Sequence, residues 1–131
     1  MPLAEHMSAE RLSLEIPPDA AQVVTARLFA RGIARSLQLD EETSDVLQLA
    51  LSEICSDMIE RRRGGRIAID VLADGVPMRV RVVSTGTRRD KDDAQRIDAP
   101  FRRTLIEALA VDAEFVDERN HLTVSFTLRT P

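Results

Sequence analysis

Glu53 and Asp57 are the residues whose type and spacing suggest chemistry. They lie in the stretch Leu49 to Arg63, LALSEICSDMIERRR, four residues apart, so on a helix they stack on one side. Placed at about 100° per residue, Val46, Leu47, Ala50, Leu51, Ile54 and Met58 form one apolar sector. Both carboxylates fall within about 20° of Val46, at the edge of that sector rather than opposite it. Carboxylates there are costly to desolvate unless a cleft, a metal or a cationic partner meets them. The residues leave two readings open: a functional site, or a solvated helix edge paired with Arg61 or with an arginine across a groove.

The helix that must carry them has a clear start. Asp40 offers an acceptor to the first free amides, and Glu41 and Glu42 place negative charge at the positive dipole end. Neither Gly nor Pro interrupts the run until Gly64-Gly65, which predicts the stop. The three arginines Arg61 to Arg63 read as a charge cluster favoured by the helix C-terminus.

Composition narrows the function classes. A chain of 131 residues fits one domain and buries roughly two thirds of its unfolded surface. The net charge of −4 and an aromatic content of 3% argue against direct nucleic-acid binding, which needs positive charge and stacking platforms. The single Cys55 excludes an internal disulfide and fits a reducing cytoplasm. It lies near the helix face away from the two carboxylates and reads as a partly buried structural thiol. His6 and His121 have no second ligand at useful spacing, so no zinc site is expected. The opening MPLAEHMSAE is neither basic nor apolar enough for a signal peptide, and no run reaches membrane-spanning length.

Residues 1–10 read as a flexible tail and residues 11–131 as a single domain. Arg11 to Ile16 alternates as a half-buried strand, closed by Pro17-Pro18. Asp19 is placed to cap a first helix running to about Leu37, with Val23, Val24, Ala26, Leu28, Ile33 and Leu37 on its apolar side. Beyond the central helix, Arg66 to Ala73 and Met78 to Val82 alternate as two strands across an Asp74-Gly75 turn. Ser84 to Ala99 is polar and reads as a mobile loop. Phe101 to Ala110 reads as a third helix with Leu105, Ile106 and Leu109 inward. Strands at about Ala113–Asp117 and Leu122–Arg129, joined near Arg119-Asn120, finish the chain. The expected fold is α+β: a two-layer sandwich in which three helices cover one face of a mostly antiparallel sheet.

With SEICSDMIE at Ser52 to Glu60 and ARLFARGIARSLQLDEETSDVLQLALSE before it, the chain resembles the anti-sigma factor and serine-protein kinase branch of the GHKL (histidine kinase-like) ATPases. The resemblance covers about Leu12 to Leu128 and implies the Bergerat ATPase fold. In that branch a cytoplasmic, commonly homodimeric protein binds a sigma factor and phosphorylates a serine of its antagonist, the anti-anti-sigma protein.

Carried over residue by residue, the resemblance makes Glu53 the general base that activates a hydroxyl. Asp57 stands where the family's Asn holds magnesium, and aspartate can also ligate that ion. The second box, normally Asp-x-Gly-x-Gly, falls on Ser84-Thr85-Gly86-Thr87-Arg88 and keeps only Gly86. Ser84 stands for the aspartate that receives the adenine amino group, and Arg88 for the second glycine. The third box, a glycine-rich turn that cradles phosphate at a helix start, reads Ala99-Pro100-Phe101-Arg102-Arg103. It has no glycine, and Pro100 has no amide hydrogen, which leaves Arg102 and Arg103 to attract phosphate by charge. The implied cofactors are therefore ATP and magnesium, on degenerate motifs. Three functions follow as expectations: a partner-switching regulator with weakened or lost nucleotide use, an active protein serine/threonine kinase, or a relative that senses another ligand in the same cavity.

Overall fold

The alternating runs form strands and the uninterrupted runs form helices, in the expected order. The computed structural model describes residues 11–73, 78–89, 103–104, 106–108 and 110–128. Its elements are β1 (Arg11–Ile16), a 3-10 turn (Ala20–Gln22), α1 (Val23–Ser36), α2 (Glu41–Arg61), β2 (Arg62–Arg63), β3 (Ile67–Leu72), β4 (Met78–Ser84) and β5 (Thr87–Arg88). A third helix, α3, is described over 103–104 and 106–108, and β6 (Val111–Asp117) and β7 (Leu122–Leu128) complete the chain. The tail 1–10, the Asp74-Gly75 turn, the segment 90–102 with Arg102, and Leu105, Leu109 and Arg129 lie outside the described residues.

Five strands make one antiparallel sheet in the order β1-β3-β4-β7-β6. Side chains alternate across a strand, so Ile67, Ile69 and Val71 of β3, Met78, Val80 and Val82 of β4, and Leu122, Val124, Phe126 and Leu128 of β7 all enter the core. The intervening residues, such as Asp70, Arg81 and Ser125, face outward in register. Asp112 takes a left-handed conformation (φ 54°) where the β6–β7 register shifts between Val111 and Glu114, a bulge that bends the edge strand.

The helices cover the apolar face. Asp40 caps α2 as its sequence implies, accepting from the Thr43 amide at 2.7 Å. Asp19 accepts from Ala21 N at 3.0 Å, but that caps the 3-10 turn ahead of α1. The expected apolar side of α1 needs correction: Val24 and Leu28 are exposed, and Ala26, Ala30, Ile33 and Ala34 are buried. Small alanines on that side let α1 approach α2 closely. Because α2 has α1 on one flank and the sheet on another, Cys55 is buried as completely as Ile54, and burial pushes its thiol up to about 12.

Two boundaries also differ from expectation. The central helix ends at Arg61, and Arg62 is already extended (φ −122°, ψ 153°). Gly64 and Gly65, both at φ near +70°, form the turn into β3 instead of the helix stop, a conformation glycine adopts without Cβ strain. Ser84 to Arg89 is not a loop: Ser84 ends β4, and β5 pairs antiparallel with β2, Arg62 opposite Arg88 and Arg63 opposite Thr87. Two residues are too few to show a period of two, so the pattern could not reveal this ladder. No helix among the described residues is long and apolar enough to cross a membrane.

Candidate functional site

The i, i+4 geometry of α2 places Glu53 and Asp57 on one side, as the spacing requires. Asp57 is buried, and its Oδ1 accepts from Arg61 Nε at 2.9 Å, with the two side chains 12% and 29% exposed. A guanidinium facing so enclosed a carboxylate offsets the cost of its burial. Glu53, half-buried, is engaged as well.

The strand end that should meet a nucleotide base is closed by the chain itself. Ser84 is 1% exposed, and its Oγ accepts from the Gly86 amide at 3.2 Å. Thr85 is stitched to the start of β3: its amide donates to Arg66 O at 3.0 Å, and its Oγ1 accepts from Arg66 N at 2.9 Å. At Gly86 a Cβ would lie 2.6 Å from Gly64 O and 3.0 Å from Arg63 O. The close approach that this glycine permits is therefore made by the β2–β3 turn.

Arginines fasten this region in a way the sequence did not disclose. Arg62 is a buried hub: its Nη1 donates to Gly86 O at 3.2 Å and Arg119 O at 3.1 Å, and its Nη2 donates to the Asp117 carboxylate. Burial pulls its pKa down, and the Asp117 charge opposes that. Arg89 closes the C-terminal end of α2, donating through N to Arg61 O at 3.0 Å and through Nε to Arg62 O at 3.1 Å. Cations are favoured there by the helix dipole. The reading of Arg61 to Arg63 as one charge cluster thus separates into three roles: Arg61 serves Asp57, Arg62 is interior, and Arg63 is exposed.

Arg103, in α3, donates to Glu107 at 3.2 Å and stacks over the Phe115 ring at 4.4 Å. It is thereby tied to β6. Among the described residues no group of three or more His, Cys, Asp and Glu side chains could hold a metal. A groove of about 710 Å³ bordered by Arg11, Arg79, Arg81, Asp112 and Glu114 lies on the outer face of the sheet, opposite α2.

Among the described residues, the donor set as it stands does not fit a magnesium nucleotide. The carboxylate that would ligate the cation already holds a guanidinium, whose charge opposes a metal. Ser84 has almost no surface for a base to touch, and the space beside Gly86 is filled by backbone.

The fold and the helix-borne carboxylates nevertheless define a class. The family model of the histidine kinase-like ATPase domain matches residues 16–126, and the chain belongs to that family. Its fold is also that of a solved structure, the RsbU and RsbW domains of Rv1364c from Mycobacterium tuberculosis, with a TM-score of 0.71 at 17% sequence identity. The match covers 92% of this chain and 32% of that one, so the protein spans about a third of the length of that neighbour. No curated protein sequence matches significantly.

Proposed function

We propose that the protein is an anti-sigma-type regulatory domain that works by binding a protein partner and does not depend on ATP. The partners by family resemblance are a sigma factor or related transcription regulator and its anti-anti-sigma antagonist, with the domain acting as a homodimer in the cytoplasm. The observation that carries this reading is the pair Asp57–Arg61 at 2.9 Å, which puts a fixed positive charge where the family resemblance calls for a magnesium ion. The enclosed Ser84 Oγ supports it from the base-binding side. A partner-switching role needs the fold's surface and not its phosphate cradle, so loss of the cradle leaves binding intact.

The test is affinity for a sigma factor and an antagonist encoded beside the gene, measured with and without magnesium ATP, together with a phosphorylation assay on the antagonist. The expected result is binding whose affinity is the same in both conditions, and no phosphorylated antagonist. Stoichiometric serine phosphorylation that disappears in Glu53→Ala would establish the alternative, an active kinase in which Glu53 is the general base.

A further inference from the structure

Arg88, in the place of a family glycine, has no part in the partner-binding reading. Its surroundings give it one. It borders a cavity of about 400 Å³ lined by Thr87, Arg88, Arg89, Arg119 and Asn120, where β5 meets the β6–β7 hairpin. Three arginines and an asparagine line it, a donor-rich set suited to a multivalent oxyanion, while the Thr87 hydroxyl donates to Arg63 O at 3.3 Å. The geometry points to a binding site for a phosphate dianion, free or carried as a monoester.

Two of the three guanidinium groups are held in place before any ligand arrives. Arg88 Nη2 donates to the carbonyl and the carboxylate of Asp117 at 3.0 and 3.1 Å. Arg89 is anchored on Arg62 O and Ile59 O at 3.1 and 3.4 Å. Each guanidinium has five donors, so both retain donors beyond these anchors. Arg119 is anchored by its backbone, whose carbonyl receives Arg62 Nη1 at 3.1 Å and the Arg88 amide at 3.3 Å. Its exposed side chain makes no hydrogen bond or ion pair among the described residues.

Charge balance favours an anion despite the acidic chain. The cavity gathers Arg88, Arg89 and Arg119, with Arg62 directly behind, against Asp117 and the exposed Glu118. Asp117 is the internal competitor, since its carboxylate faces Arg88 and Arg62. An arriving dianion shares Arg88 with it. A cation thus replaces a small residue just where the backbone of β5 is pinned to β2 and to the hairpin.

The experiment is a two-dimensional amide NMR titration of the full chain with sodium phosphate at fixed ionic strength, using sodium chloride as the control. Parallel titrations use a phosphoserine peptide and its unphosphorylated twin. The expected result is saturable shifts at Thr87 to Arg89 and Arg119-Asn120, half-complete below about 10 mM phosphate. Arg119→Ala, which removes no side-chain hydrogen bond or ion pair among the described residues, weakens binding by about tenfold or more. Asp117→Asn, which removes the competing charge but keeps an acceptor for Arg62, tightens it. A peptide that binds better than free phosphate identifies a phosphoprotein as the source, and the reverse identifies the free ion. Shifts no larger than chloride produces, equal affinity in Arg119→Ala, or shifts centred on Ser52 to Asp57 would overturn the site.

Discussion

The Arg62 guanidinium, on a side chain 1% exposed, meets the Asp117 carboxylate, on a side chain 46% exposed, and so ties the end of the central helix to the β6–β7 hairpin. The same guanidinium also saturates two backbone carbonyls, Gly86 O and Arg119 O. Removing it strands Gly86 O, leaves Arg119 O with the Arg88 amide alone, and opens a void. Arg62→Met is expected to lower unfolding free energy by about 3 kcal/mol, in the range for breaking buried charged pairs. Asp117→Asn should cost no more than about 1 kcal/mol, because that partner is half in water. Urea denaturation of both variants checks the ratio; equal losses would mean that the ion pair, and not the carbonyl contacts, carries the stability.

Two glycines make opposite predictions for one substitution. Gly86→Ala brings a Cβ to 2.6 Å from Gly64 O, a backbone atom that cannot swing aside, and overpacking of this kind costs about 1–3 kcal/mol. Gly32 lies within α1, where an added Cβ would meet nothing within 4 Å. Gly32→Ala should therefore stabilise by up to about 1 kcal/mol through helix propensity. Thermal melts of the two variants should move in opposite directions.

Acid should act through Asp70. The Ser13 hydroxyl bonded to it holds its carboxyl below the ordinary value of 3.8, burial opposes this, and the Arg11 guanidinium lowers it further. Since the folded state binds this proton less readily than the unfolded chain, the contribution is complete above the ordinary value. It is lost as the pH falls through the lowered one. Asp70→Asn should therefore be less stable than the wild type by a constant margin at neutral pH. That margin should narrow below pH 3.8 in denaturation curves recorded stepwise into acid. A margin that stays constant throughout the acid range would remove the ionised carboxylate from the account.

The fold was legible wherever a period ran long enough to register. Leu122, Val124, Phe126 and Leu128 are buried just where alternation puts them, and Asp40 caps α2 through the hydrogen bond its position implies. The face of α1 was less legible, because Val24 and Leu28 outrank alanine in hydrophobicity although close helix approach selects the alanines. The arginine framework was not legible at all. A triplet at a helix end looks solvated, and only the return of β5 and of the β6–β7 hairpin encloses Arg62. For the candidate site, the Asp57–Arg61 pair was one of two alternatives that the spacing left open. Ser84 bonds locally to the Gly86 amide, but the packing at Gly86 depends on the β2–β3 turn, which is distant in sequence and becomes its neighbour only after folding.

The central claim is that this domain's regulation does not run through ATP. Calorimetric titration of the full chain with ATP and ADP, each with and without magnesium, tests it most directly. The account predicts no heat in the micromolar range and no rise in melting temperature at millimolar nucleotide, where a ligand at about 100 times its Kd would contribute about 2.7 kcal/mol. Micromolar binding that requires magnesium and fails in Asp57→Ala would contradict it, because Asp57 would then have exchanged Arg61 for the metal.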